Sequence, residues 1–114
     1  MAKIGGNIMG VIQTKTTKKN DIGESETTWA DAFSHIGFLD LQSGDSDYVK
    51  HKTKLEESTH VFLCDFHSGI YALADQDTRM ICKGMIYDVL LIDNPMEMNE
   101  QLEIYLRKVG AYHV

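Results

Sequence analysis

Residues 78–89 read Thr78-Arg79-Met80-Ile81-Cys82-Lys83-Gly84-Met85-Ile86-Tyr87-Asp88-Val89, and Gln101-Leu102-Glu103-Ile104-Tyr105-Leu106-Arg107 follows after a short break. Lys83-Gly84 leaves room only for a tight hairpin turn, so Arg79–Cys82 and Met85–Asp93 pair as antiparallel strands. Asn94-Pro95 ends the second of them, because proline has no N–H for a central ladder. Gln101–Arg107 alternates cleanly: Leu102, Ile104 and Leu106 face one way, and Glu103, Tyr105 and Arg107 the other. Three antiparallel strands with short connections predict a small β domain.

Working upstream, His60–Phe66 is apolar on both parities (Val61 and Leu63; Phe62, Cys64 and Phe66), as a strand covered on both faces would be. His67-Ser68-Gly69 breaks it, and Ile70–Asp77 reads as a connection with a helical turn through Tyr71-Ala72-Leu73-Ala74. Near the N-terminus, Ile8–Thr17 and Glu24–Ala30 form a hairpin about a turn over Lys18–Gly23, where Asn20, Asp21 and Gly23 supply turn conformations. Phe33–Gln42 is a further strand. Ser43–Glu57 then loses the pattern, its only sizeable apolar residues being Tyr48, Val49 and Leu55. A polar loop of this length is commonly functional; a helical turn is expected over Asp47–His51, capped by Asp45 or Ser46. The fold class is therefore all-β: a small antiparallel barrel or sandwich of six to seven strands, with a long loop and little helix. One domain is expected over residues 1–114, with a flexible loop at 43–57 and a tail at 111–114.

The 114 residues are 43% hydrophobic and 25% charged, enough for one modest core and against disorder throughout. The longest apolar run, Val89-Leu90-Leu91-Ile92, is far below the roughly 20 residues a membrane helix needs. Met1–Gly6 lacks the apolar stretch of a secretory signal, so the chain is expected to stay in the cytoplasm that made it. A net charge of −6 argues against dedicated nucleic-acid recognition. Lys15, Lys18 and Lys19, and separately Lys50, Lys52 and Lys54, still form local basic clusters that would contact phosphates. Cys64 and Cys82 sit among apolar neighbours and read as buried, reduced thiols.

No motif carries chemistry. His60, Cys64 and His67 look like a metal set, but His60 and Cys64 lie about 13 Å apart on a straight strand and His67 has the opposite parity. Ligands of one zinc must lie within about 2–2.3 Å of it. Neither cysteine has the polar, base-flanked setting of a nucleophile. Asp65, Asp75, Asp77, Asp88 and Asp93 have no spacing that fixes an acid–base or magnesium pair, and Gly5-Gly6 and Gly10 match no phosphate loop. No catalytic, cofactor-binding or metal residue is assigned. The loop carries the functional expectation, since a polar segment can order on binding a partner. In it Lys50, His51, Lys52 and Lys54 would face DNA, and Asp45, Asp47, Glu56 and Glu57 would line neighbouring subunits. Trp29, on an otherwise polar strand, is either an edge-sealing residue or a partner contact.

Read in order, the segments resemble the head–tail joining (head-closure, stopper or adaptor) proteins of long-tailed bacteriophages from about Met9 to Gly110. The resemblance is carried by Asp21-x-Gly23-Glu24…Trp29, by Gly37…Ser43-Gly44 before the long loop, and by Glu57-Ser58-Thr59-His60-Val61. Asp77-Thr78-Arg79-Met80…Gly84…Tyr87-Asp88-Val89 and Leu102-Glu103-Ile104-Tyr105-Leu106 complete it. The chain departs from that pattern at Leu63-Cys64-Asp65-Phe66, where such proteins often carry an arginine and a tyrosine. The connection Phe66–Asp77 is also long. The resemblance implies structural work and no enzyme activity. It implies a ring below the portal and its adaptor that closes the DNA-filled capsid, assembled in the bacterial cytoplasm and resident in the virion. Portal or adaptor proteins, tail proteins and further copies of the chain are the implied partners, with non-specific DNA contact and no membrane. Ser43, Gly44, Asp45, Asp47, Lys50, His51, Lys52, Lys54, Glu56 and Glu57 would form the channel-facing gate; the N-terminal strand and the C-terminal tail, with Tyr112, His113 and Val114, would meet adjoining rings, and Trp29 is a further candidate partner contact. A tail-completion or terminator protein is the neighbouring alternative, and an oligonucleotide-binding barrel the more distant one.

Overall fold

The computed structural model describes residues 4–41 and 58–113. The expected gate at 43–57, the helical turn over Asp47–His51 and the contact residue Val114 lie outside the described residues. The strands are β1 (Ile8–Lys19), β2 (Ser25–Leu41), β3 (His60–Asp65), β4 (Thr78–Cys82), β5 (Met85–Asp93) and β6 (Gln101–Ala111). They close into a barrel in the order β1-β2-β3-β6-β5-β4, with every neighbouring pair antiparallel. The helix α1 (Ser68–Tyr71) follows β3, and a single 3-10 turn, Pro95–Glu97, separates β5 from β6. The all-β expectation holds, as a closed barrel.

The described residues form six strands, the lower of the six to seven expected, for a local reason. The two strands expected over Glu24–Ala30 and Phe33–Gln42 are one strand of 17 residues. Ile12 pairs with Phe33 while Gln13 pairs with Asp31, so Ala32 is the extra residue of a bulge. A bulge shifts the alternation by one residue and bends the strand without ending it. β6 also runs on through Ala111, and the Tyr112 N–H donates to the Gly84 carbonyl at 2.9 Å, which ties down the start of the expected tail. The helical turn begins earlier than expected, because the His67 Nδ1 accepts the Ile70 N–H at 3.2 Å and starts α1 there.

Alternate residues of each strand fill the barrel. Ile12, Phe62, Cys64, Met80, Cys82, Tyr87, Ile92, Leu102, Ile104 and Leu106 are buried inside, with Ile70 of α1. Gly10 and Gly37 on paired strands leave space for the Phe62 ring: a Cβ on Gly37 would stand 2.7 Å from it. Lys83 (φ 53°) and Gly84 (φ 72°) both take positive φ, as the tight β4–β5 turn requires.

Candidate assembly surfaces

β1 and β2 outrun the barrel. β4 accompanies β1 only from Gly10 to Thr14, whereas β2 accompanies it to Lys19. Lys15–Lys19 and Ser25–Trp29 therefore project as a two-stranded arm, exposed throughout except for half-buried Trp29. The arm contributes to the molecule's 51 × 28 × 26 Å extents. Its tip is fixed by one residue. The Asn20 Oδ1 accepts the N–H groups of Ile22 (3.1 Å) and Glu24 (2.9 Å), and its backbone N–H donates to the Glu24 carbonyl at 2.8 Å. Gly23 (φ 85°) completes the turn, and Ile22 stands out from it, 77% exposed.

A polar row crosses the outside of the barrel at the arm's root. Asp31, Gln13, Arg79, Asp88 and Arg107 are successive register partners on β2, β1, β4, β5 and β6. The Arg79 Nε donates to the Gln13 Oε1 at 2.8 Å, and the Gln13 Nε2 donates to the Asp31 Oδ1 at 2.8 Å. The buried Gln13 amide thus links a cation to an anion, each end bonded to the group that suits it. Arg107 pairs with Asp88 at 3.0 Å, both half-exposed. The Arg79 guanidinium also lies 4.5 Å from the Trp29 ring centre and 5.9 Å from that of Tyr112. Two of the sequence-predicted contact residues, Trp29 and Tyr112, are thereby brought to one arginine from opposite ends of the chain. His113 is exposed beyond them.

A second surface is apolar. Met9 and Ile36 are direct cross-strand partners, 49% and 47% exposed, and Phe38 follows two residues on at 42%. The alternation within either strand did not mark this patch, because only the β1–β2 register brings Met9 beside Ile36. A third feature is the β5–β6 connection. The buried Asn94 side chain donates to the Asn99 Oδ1 at 2.8 Å and accepts its N–H at 3.1 Å. This staple holds Met96 (φ 54°), Glu97 (φ 54°) and Asn99 (φ 57°) in left-handed conformations and leaves Met96 88% exposed.

The titratable side chains considered from sequence are dispersed into structural roles. The His60 ring packs edge-on against Tyr87, 5.1 Å between centres, and burial with the nearby Lys108 charge lowers its pKa. His67 caps α1 and packs against Phe33 and His35. Burial, with the neighbouring Asp65 charge, pushes the Cys64 thiol up to about 12, and burial also raises Cys82. Both are free thiols in the barrel, held in the unreactive protonated form at neutral pH. Among the described residues no three His, Cys, Asp or Glu side chains converge as a metal site. Base stacking requires exposed aromatics, and Tyr87 and Tyr105 are only 3% and 7% exposed.

Compared with known protein families, residues 10–109 match the phage head completion protein. The chain belongs to that family. The match runs from β1 into β6 and includes the whole arm. No curated protein matches the chain. Phage head completion proteins are structural components, which places this chain's work in the phage head and its contacts with capsid and tail components. No helix among the described residues is long and apolar enough to cross a membrane.

Proposed function

We propose that copies of this chain form a ring below the portal or its adaptor, which closes the DNA-filled capsid and gives the tail its attachment surface. The observation that supports this most is the continuity of β2: one strand of 17 residues begins in the arm, crosses the barrel wall and ends at Leu41, just before the segment expected to form the gate. A joining protein needs different contacts at its two ends and a stiff body between them. In this reading Ser43–Glu57 faces the channel, its lysines meeting packaged DNA without sequence recognition. Trp29, Tyr112, His113 and Val114 contribute to contacts with adjoining proteins. Assembly takes place in the host cytoplasm.

The test is addition of the purified chain to DNA-filled, tail-less heads made without it. The expected result is nuclease protection of the packaged DNA together with competence to accept tails. Binding to tails but not to heads would replace this reading with that of a tail-completion protein.

A further inference from the structure

We propose that the arm joins one copy of this chain to the next, the β2 edge of one arm pairing with the β1 edge of its neighbour's. The inference rests on the ring reading above and names a contact that would hold the ring together. Both edges of the arm are open among the described residues. β1 makes its last bond toward β4's side where the Lys15 N–H donates to the Asp77 carbonyl at 3.3 Å, and β2 meets β3 only from Gly37 onward. The backbone alternation is fixed by two bonds: Lys15 points its N–H away from β2, and Asn20 points its N–H toward Glu24. Antiparallel strands alternate inward and outward backbone groups. Thr17 and Lys19 on one edge, and Ser25, Thr27 and Trp29 on the other, therefore direct their backbone groups outward.

Charge selects how such edges combine. β1 carries Lys15, Lys18 and Lys19 and no acid, while β2 carries Glu26, Asp31 and Asp40 and no lysine or arginine, with Glu24 just ahead of it. Two-fold pairing of like edges would set acid against acid or lysine against lysine, which opposes association. Pairing β2 with a neighbour's β1 sets opposite charges across the junction. That contact is head-to-tail, the kind that generates rings. It is also antiparallel when all arms point the same way, as they must around a common axis. A two-stranded arm is about 10 Å wide, against a molecular cross-section of 28 × 26 Å. Paired arms would therefore lean together into a collar narrower than the ring of barrels.

The experiment uses two charge-reversed versions of the full chain, Lys15→Glu/Lys18→Glu/Lys19→Glu and Glu24→Lys/Glu26→Lys, each checked for native circular dichroism. Self-association is followed by sedimentation at low salt. The wild-type chain is expected to associate, each variant alone to need at least ~10-fold higher concentration, and a 1:1 mixture to recover the wild-type behaviour. Variants that associate as the wild type does, or a mixture that stays dissociated, would overturn the arm contact. Cross-linking on DNA-filled heads separates the two readings. Variant copies that still cross-link to one another there keep the ring and remove the arm contact, whereas wild-type copies bound singly remove both.

Discussion

The same two strands make two different structures. From Gly10 to Thr14, β1 has a strand on each side and turns Gly10 and Ile12 into a packed interior; from Lys15 to Lys19 its only strand neighbour is β2 and its side chains are exposed. A lone two-stranded ribbon is marginal in water, whereas a closed barrel leaves no edge and buries one whole face. The barrel therefore supplies the stability and the arm draws on it, freeing arm residues to be chosen for contact. Asn20 at the tip and the Gln13–Arg79–Trp29 cluster at the root are the two places where the arm is held in position.

The contrast breaks first if the core is not where stability lies. Phe62→Ala removes the fully buried ring that fills the space beside Gly10 and Gly37. It is expected to cost about 3–5 kcal/mol, read by denaturant unfolding; a cost near that of a surface change would mean the barrel interior is misassigned. Arg79→Ala comes next. It leaves the buried Gln13 oxygen without its donor and Trp29 without its cation, an expected loss of about 1–3 kcal/mol with a changed tryptophan emission. An unchanged emission would show that Trp29 is not held by Arg79.

Asn20→Ala sharpens the comparison, since it releases the tip without touching the barrel. Amide exchange over residues 16–28 should accelerate while the global midpoint moves by about 1 kcal/mol or less. Uniform acceleration across β3 and β6 would show arm and barrel to be one cooperative unit. The smallest effect is expected at Thr78, whose buried Oγ1 has no hydrogen-bond partner among the described residues. Thr78→Val removes that cost and should be neutral or stabilising by up to about 1 kcal/mol; a clear loss would reveal a partner for the hydroxyl.

Much of the barrel was legible because its signals are local. The Lys83-Gly84 turn, the proline after β5 and the alternation of Leu102, Ile104 and Leu106 each needed only neighbouring residues. The arm was harder to see. Its hairpin was expected from Asn20, Asp21 and Gly23, but that β4 would stop beside Thr14 and leave Lys15–Lys19 projecting is a fact of strand lengths. The bulge at Ala32 was hidden for a related reason: a residue without a partner is defined by the opposite strand. Trp29 and Tyr112 were both named as contact residues, with nothing in the sequence to bring them to one place. Only closure of the barrel brings both to Arg79, which no spacing between residues 29, 79 and 112 announces.

β2 also defines a path for force. Its 17 residues run from the arm into the barrel, bordered by β1 as far as Gly37 and by β3 from Gly37 to Leu41. A pull on the arm along this strand loads the bordering ladders in shear, so their hydrogen bonds share the tension instead of opening one after another. A molecule built this way yields last along the direction in which β2 lies, and that direction joins the arm to Leu41 at the far end of the strand.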